Sequence, residues 1–191
     1  MNRRNVVGVA LGRKGSGKST LARRMVAAAP RVIVLDWLAE YDHTTAGAEV
    51  VTGLDAALDA LRSRVDDSTV RLSIRVDTLD DALSVLRVVA HWHDALIVVE
   101  ETSRYCSPFH LPTEIETLIR YGRHSNLDQL YVARRPAEIH RDLTSNADFV
   151  ATFRQWEPRD VQYLRSLVGV HGEIASTLPP YRTLKIGRAH V

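Results

Sequence analysis

Cysteine is almost absent from this sequence. The single thiol, Cys106, has no partner for an internal disulfide, so disulfide frameworks and multi-cysteine zinc sites are excluded and a reducing cytosol suits the chain. No run of about 18 apolar residues occurs, which leaves no candidate membrane-spanning helix. The opening, MNRRNVVGVALGRKG, passes directly into a glycine-rich segment instead of a cleavable signal. A soluble protein of the cytoplasm, with no membrane partner, is therefore expected. Neither sign of charge dominates: 25 basic and 23 acidic residues give a net +2, so nucleic-acid binding depends on where arginines cluster and not on their sum. Repeats and low-complexity tracts are also missing. What remains is 191 residues at 45% hydrophobic content, enough for one sizeable core and a single domain over 1–191.

Apolar β-rich runs alternate with helical patterns along this chain. Strands are predicted at 6–11, 31–35, 70–76, 95–99, 129–133, 148–153 and 182–186, and several are continuous Val/Ile/Leu runs, as strands buried on both faces should be. Helices are predicted at 17–29, 54–65, 79–92, 113–123, 136–144 and 157–168, leaving 37–53 and 102–112 irregular. That order implies a mostly parallel sheet with helices on both faces. The segment 102–112, TSRYCSPFHLP, should then lie at the carboxyl edge of the sheet, where such folds bind ligands.

The most specific signal is Gly12-Arg13-Lys14-Gly15-Ser16-Gly17-Lys18-Ser19, followed by Thr20. It satisfies G-x-x-x-x-G-K-[ST] with an apolar strand before it and a helical pattern after it. Glycines let the backbone turn its N–H groups inward, and the helix N-terminus adds positive potential for phosphate. Lys18 is expected to neutralise β- and γ-phosphate oxygens, and Ser19 to offer its hydroxyl to Mg²⁺. The expected fold is therefore a three-layer α/β P-loop NTPase of the RecA/ASCE type, with ATP and Mg²⁺ as cofactors.

An ATPase site also needs carboxylates, and the run ALIVV ends in Glu100-Glu101. Glu100 is assigned to the metal and Glu101 to the attacking water, placed one sheet position from the phosphate loop. The bland alternative is a pair of acids capping an exposed strand end. Asp36 ends the second predicted strand, expected beside the phosphate loop, and either orders the metal's surroundings or bonds loop amides. Arginine is dense in the second half. Arg134 and Arg135 follow the strand QLYVA on the nucleotide side, and Arg123 closes a helix from which it can project into a neighbouring subunit. Trp37, Trp92 and Trp156 are dispersed and read as packing or interface residues, not as a base-stacking platform.

The order GRKGSGKST, VIVLDWLAEY, ALIVVEE, IRYGRHSNLDQLYVARRPAEI and LTSNADFVATFR resembles the HerA/FtsK superfamily of P-loop ATPases, especially minimal single-domain viral genome-packaging versions. The resemblance spans roughly 6–165 and includes Asp36…Glu40-Tyr41 and the run from Gly122-Arg123 to Arg135-Pro136. It implies catalytic roles for Lys18, Glu101, Arg123, Arg134 and Arg154, with Ser19 and Glu100 at the metal. Two departures stand out: Glu100 replaces the family's metal-binding aspartate, and Arg134 its neutral sensor glutamine. The resemblance further implies a homo-oligomeric ring, hexamer or pentamer, that hydrolyses ATP at subunit interfaces and translocates double-stranded DNA, in the host cytoplasm or associated with a virion. A capsid portal or vertex protein is then a further partner, and Arg104, Tyr105 and His110 in the 102–112 loop are the expected DNA grip. Two other readings stay open: a small-molecule or nucleotide kinase, with Arg134, Arg135 and Arg141 in a lid, and a nucleotide-gated phage assembly or export factor.

Overall fold

Eight short strands frame the chain: β1 (Val7–Leu11), β2 (Arg31–Leu35), β3 (Glu49–Thr52), β4 (Val70–Arg75), β5 (Leu96–Val99), β6 (Asp128–Ala133), β7 (Phe149–Thr152) and β8 (Leu184–Gly187). The helices are α1 (Lys18–Ala28), α2 (His43–Ala46), α3 (Leu54–Ser63), α4 (Leu79–Val89), α5 (Thr113–Tyr121), α6 (Arg141–Ser145), α7 (Pro158–Val168) and α8 (Ile174–Thr177). The computed structural model describes residues 5–187. The strands form one sheet in the order β3-β4-β2-β5-β6-β1-β7-β8, parallel throughout except for β8, which pairs antiparallel to β7.

Alternation within the strands divides the core in two. Val7, Val9 and Leu11 of β1, Ile33 and Leu35 of β2, and Ile97 and Val99 of β5 join a cluster with Ala57 and Leu61 of α3, Leu86 of α4 and Ile115 of α5. Ala10, Val32, Val34, Leu96 and Val98 point the other way, onto Ala22 and Val26 of α1. This is the period-2 geometry of a pleated strand with both faces covered, and it explains why these runs read as continuously apolar.

The predicted strands and helices are present with ends shifted by one to three residues, and three segments differ in kind. Segment 37–53, expected to be irregular, contains α2 and β3; β3 is an edge strand in which only Val51 is buried, so it lacks an apolar signature. The helix expected at 136–144 is instead a 3₁₀ turn at Pro136–Glu138 and a separate α6, because Ile139 is extended and fully buried between them and His140 caps the new start through Nδ1. Residues after 168 continue as a 3₁₀ segment, Gly169–Glu173, and α8.

Strand order changes two expectations about the site. Between β1 and β5 lies β6, so the acids that follow β5 stand two sheet positions from the phosphate loop, not one. β2 lies beyond β5, so Asp36 is not beside the loop. Adjacency in sequence said nothing about either placement.

Candidate active site

The turn after β1 is shaped by what lies beneath it. A Cβ on Gly12 would sit 2.6 Å from the Ser16 hydroxyl and 2.7 Å from Phe153 Cβ, and one on Gly17 would sit 2.9 Å from the Phe153 ring. Gly17 also adopts φ 110°, in the left-handed region that a side chain disfavours. Phe153 follows β7 and donates its backbone N–H to Leu11 at 2.7 Å, so the neighbouring strand props the loop from below. α1 begins at Lys18 and directs its first amides toward the cradle.

Lys18 is buried, and its Nζ donates to the Arg13 carbonyl at 3.1 Å. Burial lowers its pKa, opposed by the carboxylates of Glu100 and Glu101. Glu100 is buried at the end of β5, and the Tyr41 hydroxyl donates to its Oε1. Burial pushes the Glu100 carboxyl up to about 7; the Tyr41 hydrogen bond and Lys18 oppose the rise, while Glu40 and Glu101 add to it. Glu101 has φ 48° and ψ 49°, a left-handed conformation that costs a non-glycine residue about 1–3 kcal/mol and is common where function holds a side chain in place. Its Oε1 accepts from Arg134 Nε at 3.0 Å. Lys18, Glu100, Glu101 and Arg134 therefore meet at the carboxyl edge of the sheet.

The remaining predicted residues are distributed differently. Arg154 lies beside the loop of its own chain, its guanidinium 5.5 Å from the Trp156 ring centroid. Arg13 stacks on the other part of this cluster, 3.9 Å above Trp156. Ser19 and Thr20 occupy the first turn of α1, and the Ser19 hydroxyl makes no hydrogen bond among the described residues. Lys14 and Gly15 are exposed at the tip. Arg123, by contrast, is exposed in the 3₁₀ turn Gly122–Ser125 that precedes β6, at the amino edge of the sheet. It is not brought to the cluster: the six residues of β6 separate the two edges by about 17 Å.

Asp36 resolves to the second of its two readings. Its carboxylate accepts from the backbone N–H groups of Glu40 and Tyr41, from the Ser73 hydroxyl and from Arg75. The turn it holds puts Tyr41 against Glu100 and Glu40 within 3.8 Å of Arg23 on α1. Sequence reasoning missed Tyr41 as a site residue, because only the folded turn joins it to an acid 59 positions away. Arg135 and Arg141 are also accounted for: Arg135 pairs with the buried Asp160 at 2.9 Å, and Arg141 bonds Ser166 and stacks on Tyr163, so both tie their segments to α7. In the 102–112 loop, Tyr105 is buried and bonded to the Trp37 indole, and Arg104 covers Trp37 at 4.1 Å. The exposed tip is Pro108-Phe109-His110, closed by paired backbone hydrogen bonds between Ser107 and His110, with Phe109 96% exposed.

The genome-packaging NTPase B204 of Sulfolobus turreted icosahedral virus 2, solved with ATP-gammaS, superposes with a TM-score of 0.78 at 18% identity, covering 99% of this chain and 94% of that one. VirB4 of Thermoanaerobacter pseudethanolicus gives 0.67 at 11% identity over 100% and 89% of the two chains. The pCW3 conjugation coupling protein TcpA, with ATPgS, gives 0.58 at 17% identity, with 97% of this chain on 58% of that one. This chain shares the fold of these proteins, a mostly parallel sheet with a phosphate-loop turn after its first strand. No family model and no curated protein matches the sequence.

The residues of this P-loop fit a nucleotide's phosphates and a hard cation. Among the described residues, the Lys18 ammonium is hydrogen-bonded by one carbonyl of its own loop, and the buried Ser16 hydroxyl has no hydrogen-bond partner. Ser19 and Glu100 offer oxygen donors but no closed cage, and no group of three or more His, Cys, Asp or Glu suited to a metal occurs among the described residues. Mg²⁺ is commonly held in just this manner, by one or two protein oxygens together with substrate phosphates and water.

The position of Glu100 gives a pH prediction for the metal-free chain. Its folded pKa of about 7 lies above the ordinary 4.5, so the folded state holds the proton more tightly than the unfolded state does. The associated stability is fully present below about pH 4.5 and is lost as pH rises through about 7, on the order of 3 kcal/mol in all. Glu100→Gln is expected to flatten this dependence, leaving the variant more stable than the parent at pH 8. Urea melts in a chelating buffer at pH 5 and pH 8 measure it; parallel pH dependences in parent and variant would contradict the assignment.

Proposed function

We propose that this chain hydrolyses Mg-ATP and couples the cycle to movement of double-stranded DNA, as a viral or prophage genome-packaging motor working as a ring. The observation that carries the reading is the convergence of Lys18, Glu100, Glu101 and Arg134 beside the loop on one sheet edge. Full-length similarity in fold to a packaging NTPase solved with an ATP analogue supports it.

In this reading Lys18 and the amides from Arg13 to Thr20 hold the phosphates, and Ser19 and Glu100 hold Mg²⁺. Bound Mg²⁺ supplies charge neutralisation at the β- and γ-phosphate oxygens. Glu101 orients the attacking water and polarises it. Arg134, already paired with Glu101, lies where it can exchange that carboxylate for developing phosphate charge in the same chain. Arg154 stands at its own loop, and Arg123 is assigned to a neighbour's site. The exposed Phe109-His110 tip replaces Tyr105 as the DNA-gripping element, and the portal or vertex protein of a capsid is the further partner. A kinase lid would need Arg135 and Arg141 free to close over phosphates, and both are held against α7.

The test is steady-state ATPase activity of the oligomer with and without duplex DNA at low salt. DNA is expected to stimulate turnover, with stimulation falling steeply as salt is added, because phosphate contacts release counterions. Lys18→Ala is expected to reduce turnover by roughly 10²–10³-fold or more with or without DNA. An oligomer whose turnover ignores duplex DNA but rises with a small phosphate acceptor would replace the motor with a kinase.

A further inference from the structure

Tyr41 reaches the site from a direction that neither the phosphate loop nor β5 supplies. It lies beyond the end of β2, is fully buried, and belongs to the apolar cluster that includes Ala22 and Val26 of α1, the helix that opens at Lys18. Its hydroxyl donates to Oε1 of Glu100, just past β5. One side chain thus joins the helix of the phosphate loop to an acid that stands two sheet positions away from it.

The backbone of Tyr41 is fixed independently of that contact. Its N–H donates to the Asp36 carboxylate at 3.0 Å, and its carbonyl accepts from Arg75 at 3.0 Å. The same Asp36 oxygen accepts from the buried Ser73 hydroxyl at 3.0 Å, so two residues of β4 and one that follows β2 hold the turn in place. With the ring packed on one side and the main chain bonded on the other, the hydroxyl has little freedom to leave Glu100.

Glu100 needs such a restraint. The last torsion of a glutamate is broad, so packing by itself does not set the plane of the two carboxylate oxygens. A hydrogen bond to one oxygen sets it and orients the other. Among the described residues the Glu100 Oε2 makes no hydrogen bond, which leaves it available, and a phenol is protonated and able to donate throughout the neutral range. Partners that orient a metal-binding carboxylate in this way typically govern cation affinity without touching the cation.

We propose that Tyr41 is a positioning residue for the cation: its hydroxyl holds one oxygen of Glu100 and so presents the other to Mg²⁺. The proposal rests on reading Glu100 as the acid that holds the metal, and it extends the role of the Asp36 turn from local structure to the chemistry of the site.

The experiment measures free Mn²⁺, a paramagnetic stand-in for Mg²⁺, by electron paramagnetic resonance in the presence of the full chain and a methylene analogue of ATP, with protein in excess. Analogue binding in EDTA is measured beside it by calorimetry. Tyr41→Phe, which keeps the ring and removes the hydroxyl, is expected to weaken Mn²⁺ binding about tenfold or more while leaving analogue affinity in EDTA within about twofold of the parent. Because Tyr41 acts through Glu100, adding Tyr41→Phe to Glu100→Gln should cost little beyond the single Glu100→Gln change. A Tyr41→Phe variant that loses the analogue in EDTA and Mn²⁺ equally, or that costs as much in the Glu100→Gln background as in the parent, would reduce Tyr41 to a structural residue. Parental Mn²⁺ affinity in Tyr41→Phe beside weakened affinity in Glu100→Gln would sink this proposal alone. Parental affinity in Glu100→Gln would remove Glu100 from the metal, and the proposal would fall with that assignment.

Discussion

Glu101→Gln is expected to bind ATP as the parent does and to lose roughly 10²–10⁴-fold in the hydrolysis step. The substitution keeps the shape of the side chain and removes the group that can accept a proton. Its backbone is already committed: the left-handed conformation at Glu101 aims the carboxylate at Arg134, and neither feature depends on the charge of the distal oxygens. The ion pair with Arg134 contributes little by itself, since Arg134 is half-exposed and such pairs are worth about 0–1 kcal/mol. Folding and ATP affinity should therefore survive. Single-turnover hydrolysis beside equilibrium ATP binding separates the two quantities. A variant that still turns over near the parent rate would remove Glu101 from the chemistry; one that loses ATP affinity in parallel would make it a binding residue.

Arg123→Ala is expected to lose roughly 10³-fold or more in turnover with nucleotide binding intact, provided the chain assembles. The argument is geometric. The Arg123 guanidinium makes no ion pair or hydrogen bond among the described residues and stands across the sheet from its own loop, a span of about 17 Å that one side chain cannot cover. A direct contact of Arg123 with a reacting phosphate would then have to be made in another subunit. Mixing Arg123→Ala with Glu101→Gln gives the decisive reading, because interfaces that pair an intact Arg123 with an intact Glu101 exist only in mixed assemblies. Partial recovery in the mixtures supports action across the boundary. No recovery at any ratio, in particles shown to exchange subunits, sinks it.

These expectations differ in how much of each was readable before folding. The loop from Gly12 to Ser19 was legible as a shape because its signal is local: a strand, a glycine turn and a helix start lie within a few residues of one another. The acids were legible as a pair following an apolar strand, but their different burial was not. Glu100 is enclosed beneath the Tyr41 hydroxyl, while Glu101, its side chain 12% exposed, sits at the margin against the half-exposed Arg134. The arginines were least legible. Arg134, Arg135 and Arg141 look alike in the sequence, and the fold gives the first to the site and the other two to α7.

The sequence by itself determined that this chain builds a mostly parallel sheet with helices on both faces and a glycine-rich turn of P-loop pattern after its first strand, because hydrophobic periodicity and turn chemistry act over neighbouring residues. Only the tertiary structure decided the order of the strands, the two-strand separation of the acids from the loop, the Asp36–Tyr41–Glu100 connection and the edge on which each arginine stands. Those depend on which crossover packs against which face. That choice is made by burial among residues tens of positions apart, and no local window records it.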